Sequence, residues 1–288
     1  MKSEVADLLA RAEAADKADV PDGMSIPDEL ALREKRLAML AQARANIEAR
    51  ARARHEREQA EYLANMAARE AKTAATGKKP GGKAPAPPRE GPLPNDQINL
   101  TDEDSRIMPV AGGGFEQSYN AQAAVAVGSL LVVAAGVTQA PNDKQQIEPM
   151  LDKLGALPGD LGKPDTLLAD TGYHSADNVA ACTKAGIAPL IAAGRPPHHP
   201  ALSERFAKAP PAPENPTPVE AMAHRLKTPE GRKLYALRKQ TPEPVFGIIK
   251  SVMGFRHFTM RGLNLARGEW SLVTMAWNIK RMCRLSAA

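Results

Sequence analysis

Apolar residues recur at helical spacing near the start of the chain. Val5, Leu8, Leu9 and Ala12 make one short stripe, and Leu30, Leu37, Leu40, Ala41 and Ile47 make a second. Arg33 and Arg44 fall on or beside the second stripe, which fades after Ile47 into Ala/Arg/Glu sequence. Between the stripes, Asp19-Val20-Pro21-Asp22-Gly23 reads as a turn, and Pro27 suits the first turn of a helix. The pattern predicts a long helical hairpin over residues 1–75, with its far end exposed. Residues 76–97 are rich in Pro, Gly and Lys and hold too few apolar positions for a core, so they read as a linker.

From residue 98 the pattern changes. Val125-Ala126-Val127, Gly128-Ser129 and Leu130-Leu131-Val132-Val133 predict two strands about a tight turn. After Pro141-Asn142-Asp143-Lys144, a turn, Ile147, Met150, Leu151 and Leu154 mark an amphipathic helix. Thr166-Leu167-Leu168-Ala169-Asp170 is a short strand ending in a carboxylate. Ser175 suits the cap of a helix reaching about Lys184, and Gly186 to Ala192 is another strand. Strand–helix–strand alternation predicts an α/β core with an at least partly parallel sheet. A Pro-rich loop spans Gly194 to Pro216. Helices then start at Thr217-Pro218-Val219-Glu220, Thr228-Pro229 and Thr241-Pro242, and a last one covers roughly Arg267 to Met282 with Trp270, Val273, Trp277 and Ile279 available for burial.

Charge sharpens this picture. The whole chain of 288 residues carries a formal +5. Residues Arg225 to Arg284 hold thirteen Lys/Arg against Glu230, Glu243 and Glu269, a local +10 on an otherwise acidic chain. A basic C-terminal third is the asymmetry of a nucleic-acid-binding face or of a solvated helical surface. Cys182 and Cys283 offer neither a disulfide framework nor a Cys-rich metal site, and the charged N-terminus carries no signal-peptide core. Ala121–Ala140 is free of charge over about the length of a membrane span, but its Gln, Gly, Ser and Thr residues favour the strand pair. A cytoplasmic location, associated with the bacterial nucleoid, is expected, with no membrane partner.

Two carboxylates stand out. Asp170 closes a strand ahead of a glycine turn, where open α/β sheets place their sites, although loop capping explains it equally. Glu243 opens an apolar helix with Lys250 about two turns on, although complementing the helix dipole explains it too. His198-His199 lacks a partner ligand at suitable spacing.

Longer stretches discriminate between these readings. Ala169-Asp170-Thr171-Gly172-Tyr173-His174-Ser175 resembles the aspartate–any–glycine–tyrosine signature around the second acid of insertion-sequence transposases of the DDE type. Tyr235 through Lys250 resembles their third-acid region. Tyr119-Asn120-Ala121-Gln122, Pro141-Asn142-Asp143, Phe255 through Leu263 and Ala276 through Arg281 extend the likeness, in order, over residues 98–285. The resemblance implies a mixed-sheet RNase H-like core with flanking helices over 98–288. It implies Asp170 and Glu243 as catalytic acids and ligands of Mg²⁺ or Mn²⁺, in a two-ion centre that activates the attacking oxygen and stabilises the leaving one. It implies Arg238, Lys239, Lys250, Arg256 and Arg261 on DNA phosphate, and mobile-element ends as the partner.

The chain departs from that pattern. The family's first acid sits in an Asp-Gly-Thr-like strand upstream of the hairpin, and no such segment occurs here. Residues 1–97 take the place of an insertion after that strand. Asp102 and Asp104 match a different family feature, and neither they nor Asp143 are assigned as the replacement. Pro242 stands where the family usually has another residue. The expectation is an incomplete, N-terminally truncated core without robust cleavage by itself, its sheet lacking an inner strand. The alternatives are a non-catalytic DNA-binding remnant, acting as a homo-oligomer or on an intact transposase copy, and a coiled-coil interaction protein working through residues 1–75.

Overall fold

A computed structural model describes residues 2–15, 26–110, 112–194 and 210–287. The turn at Asp19 to Gly23, His198-His199 and most of the Pro-rich loop lie outside the described residues. The chain forms two compact units, Met1–Glu103 and Asp104–Ala288.

In the first unit, α1 (Lys2–Ala15) packs on α2 (Ile26–Thr76), with Leu8, Ala43 and Ala51 buried. Alanine, arginine, glutamate and lysine dominate α2 and are strong helix formers. Glu29–Arg33 and Arg44–Glu48 add ion pairs one turn apart. The helix runs to Thr76 although its apolar stripe ends near Ile47, because propensity alone sustains it.

The Pro/Gly/Lys segment has no helix or strand, yet it is tethered. Arg69 donates to the carbonyls of Pro80 (3.1 Å) and Gly82 (3.3 Å). Arg54 grips Asp96 with both nitrogens (2.7 and 3.0 Å) and reaches the Gly91 carbonyl at 3.1 Å. Asn46 and Arg50 hold Glu103. Successively earlier turns of α2 therefore hold successively later residues, so the segment returns antiparallel along the helix.

The second unit contains three two-stranded sheets. β1 (Arg106–Pro109) and β2 (Phe115–Ser118) form an antiparallel hairpin that the hydrophobic pattern does not reveal. Its strands are polar, and its one visible signal is Gly112-Gly113-Gly114, all at positive φ. β3 (Asn120–Val125) and β4 (Val132–Thr138) are the expected hairpin, with a register shift at Ala124/Val125. α3 (Ile147–Gly155) leads to β5 (Thr166–Ala169), α4 (Ala176–Lys184) and β6 (Ala188–Ile191), which pairs parallel with β5. α5 (Pro218–Arg225), α6 (Pro229–Ala236), α7 (Pro242–Ser251) and α8 (Leu263–Ser286) follow. The Ser175 cap and the Thr217/Glu220 capping box form as the sequence predicts, satisfying amides that the first turns leave unbonded.

α8 secures the β3–β4 hairpin. The Trp270 and Trp277 indole N–H groups donate to the carbonyls of Gln122 and Leu130, each at 2.9 Å. The Asn278 amide bonds both the N–H and the carbonyl of Val132 at 2.8 Å, and Arg267 reaches the Val137 carbonyl at 3.2 Å. Trp270 and Trp277 are buried together with Val245, Ile249 and Ala266. Ile279, expected to be buried, is 50% exposed. Two residues beyond Trp277 is roughly 200° round the helix, on the opposite side. Among the described residues, no helix is long and apolar enough to cross a membrane.

The Arg54 hydrogen bond holds the Asp96 carboxyl below its ordinary range, helped by the Leu93 N–H and opposed by burial. Its stabilisation is therefore complete above the unfolded pKa, about 3.9, and fades as pH falls through the lower folded value. Limited acid-protease digestion should cut residues 77–100 faster below that window, and Asp96→Ala should cut fast at every pH; equal rates for both proteins would refute the tether. Separately, burial pushes the Cys182 thiol up to about 11 while Cys283 is exposed. A thiol reagent at pH 8 should titrate one thiol in the native protein and two in denaturant.

Candidate active site and nucleic-acid interface

Asp170 follows β5 directly, and its Oδ1 accepts the Gly172 N–H at 2.9 Å, closing a short turn over Thr171–Tyr173. The carboxylate is exposed. Asp143, after β4, comes to the same place. A Cβ on Gly172 would lie 3.1 Å from Asp170 Oδ1 and 3.2 Å from Asp143 Oδ2, so only glycine leaves room between the two acids. Asp143 Oδ1 is fixed by the amides of Asn120 (2.8 Å) and Gln122 (2.7 Å). The Tyr173 hydroxyl donates to Gln122 Oε1. Burial, then the charges of Asp143 and Asp170, push the Tyr173 hydroxyl far up, so it stays a donor. Gln122, buried on β3, is thus the hub that joins the Asp143 turn to the Asp170 turn.

Glu243 is exposed in the first turn of α7 and faces Arg238 at 3.6 Å. Arg238 lies over the Tyr235 ring, 5.9 Å from its centre, and the Tyr235 hydroxyl donates to the Ala169 carbonyl at 3.2 Å. Burial raises the Tyr235 pKa, Arg238 opposes this, and Asp170 adds to it. Asp170 and Glu243 therefore flank one Tyr235–Arg238 unit. Asp143 is the carboxylate that sequence reasoning leaves unassigned. Its signal is the polar Asn120/Gln122 pair on an otherwise apolar strand, which demands a buried partner. Asp104 serves elsewhere, as a helix cap. Its Oδ2 accepts the Leu263 N–H at 3.0 Å, at the start of α8, where Gly262 supplies no side chain.

The resemblance implies a divalent-ion centre. Among the described residues, no three His, Cys, Asp or Glu side chains gather closely enough to hold an ion. Asp143 and Asp170 face each other, and Glu243 faces an arginine. These side chains do not by themselves fit that centre.

Lys239, Lys250, Arg256 and Arg261 are exposed, and Arg238 is half-buried. The loop bearing Arg256 and Arg261 is held by Glu269, which accepts the Thr259 N–H (3.1 and 3.0 Å) and the Met260 N–H (3.2 Å). Burial pushes the Glu269 carboxyl up, and these bonds outweigh it to hold it below its ordinary range. Phe255 and Phe258 close the loop from inside with an edge-on contact at 5.5 Å.

The profile of the Transposase DDE domain family matches residues 96–279. The match takes in the Asp143–Asp170 pair, Glu243 and the basic loop, and the chain belongs to that family. Its members typically use divalent metal ions and act on DNA. No curated protein and no solved structure matches the chain.

Glu269→Gln should accelerate exchange of the Thr259 and Met260 amides about tenfold or more, the worth of a charge-assisted hydrogen bond. Exchange as slow as in the parent would show that the loop is held by other means.

Proposed function

We propose that this chain is the DNA-contacting part of an insertion-sequence transposase, built on an RNase H-like core over residues 98–288, and that it does not cut DNA by itself. The observation that carries the reading is the family match across that core together with Asp170 and Glu243 disposed about Tyr235–Arg238. In this reading Asp170 and Glu243 are two of the three acids that DNA strand transfer requires. Two acids without a third hold Mg²⁺ or Mn²⁺ weakly, because such an ion draws its affinity from several carboxylate oxygens. Residues 1–75 form an inserted helical element and 76–97 its connection back to the core.

Arg238, Lys239, Lys250, Arg256 and Arg261 supply phosphate contacts. Their work is affinity and placement, not sequence choice. The fixed loop presents Arg256 and Arg261 at a defined spacing, which spares ordering cost on binding. The product is a protein that occupies mobile-element ends. It would act as a non-catalytic competitor or partner of an intact transposase copy, located with the bacterial nucleoid.

The test is binding and cleavage of element-end DNA by the purified full chain. Affinity should fall steeply with salt, and Arg256→Ala or Lys250→Ala should each lower the slope of log K against log[salt] by about one. With Mg²⁺ or Mn²⁺ no cleavage should accumulate. Efficient cleavage lost in Asp170→Ala would overturn the inactive reading, and salt-independent or absent binding would overturn the DNA reading.

A further inference from the structure

Strand edges in the second unit are treated unequally. The outer strand β4 has backbone groups taken up by Asn278, Arg267 and, at Ala135, Lys153. The other outer strand, β6, is covered by α5, whose Met222 sulfur receives the Ile191 N–H at 3.4 Å. β3 and β5 are paired on one side only. Beyond their own pairs, the hydrogen bonds reaching the backbones of these two strands among the described residues are Trp270 to Gln122 and the Tyr235 hydroxyl to Ala169.

Burial agrees. A strand open on one face alternates buried and exposed positions, because successive side chains point to opposite faces. In β5, Thr166, Leu167 and Leu168 are all half-exposed, and in β3 every residue but Gln122 is. β6 is fully buried from Pro189 to Ile191. Exposure shared by both faces is the mark of an open edge.

α3 places the two open edges under one roof. Its Ile147 and Leu151 pack with Ala169 and Ile191 on the β5–β6 side. Its Met150 and Leu154, on the adjoining stripe, pack with Ala134 and Ala124 on the β3–β4 side. The helix therefore straddles the seam between the two pairs, and the Tyr173–Gln122 bond pins one end of it.

We infer that the β3–β5 seam is a docking slot for an extended segment of another polypeptide, added as a strand that joins the two pairs into one sheet. Strand lengths of six and four residues set the segment at four to six residues. α3 above it requires apolar side chains on that face. The alanines at 121, 123 and 124 of β3 leave room beside them for Val or Ile. No strand of this chain fits among the described residues: β4 and β6 are already covered, and β1 and β2 read Arg-Ile-Met-Pro and Phe-Glu-Gln-Ser. Affinity would come from backbone hydrogen bonds and selectivity from alternate side chains, as in other strand additions.

The probe is an eight-residue capped peptide with four Val/Ile residues between paired lysines, offered to the full chain. Amide hydrogen exchange at 120–125 and 166–169 is followed by mass spectrometry. Saturating peptide should slow exchange at both segments at least tenfold, and the same peptide N-methylated at alternate residues should not. No slowing, or equal slowing by the methylated peptide, would overturn the slot. Slowing that develops with protein concentration alone would also overturn it, by assigning the seam to a second copy. DNA binding is untouched by any of these results, so the seam and the DNA reading stand or fall separately.

Discussion

Backbone hydrogen bonding that a two-stranded sheet cannot complete by itself governs the second unit. Each pair of strands satisfies half of its N–H and C=O groups internally, and the rest must find other partners or water. The β3–β4 hairpin solves this with α8. Two indole N–H groups, one amide side chain and one guanidinium land on four different stretches of hairpin backbone. The same residues bring the largest apolar surfaces of the unit, so burial and hydrogen bonding act through one helix. Gln122 is the point where this scaffold meets the acidic site. Its carbonyl takes the Trp270 N–H while its side chain holds Asp143 and Tyr173.

That arrangement explains how two acids from separate parts of the chain meet. A carboxylate on a surface turn is free to point anywhere. Here Asp143 is held by two amides from β3, and Asp170 by its own turn, with Gly172 the spacer between them. Like charges held close raise each other's cost and favour a cation or a donor in the gap. Tyr173, kept protonated by both, is the donor already present. Arg238 does the corresponding service for Glu243. The site is thus a row of acids separated by hydrogen-bond donors.

Much of this is legible from residue order. The capping residues Ser175, Thr217 and Thr228, the β3–β4 hairpin and the buried tryptophans follow from local rules that act over three or four residues. Asp170 and Glu243 stand out because their short contexts carry a family signature. The β1–β2 hairpin is not legible, since its strands are polar and short. Asp143 as a neighbour of Asp170 is not legible either, because twenty-seven positions separate them and a strand edge and a helix must first be placed. Ile279 misleads because its apolar character says that it can be buried, while only the docking of α8 on Trp270 and Trp277 says which side is.

Sequence by itself determined the helices, the strand pairs, the basic third and the family, because these depend on periodicity, composition and short motifs carried by contiguous residues. Tertiary structure alone decided that Asp143 faces Asp170, that Asp104 caps a helix 159 residues away, that the Pro-rich segment is strapped to α2 by arginines, and that β3 and β5 each keep an unpaired edge. Each of these is a meeting of groups distant along the chain. Such meetings depend on which surfaces pack, a sum over many weak contacts that no local pattern encodes.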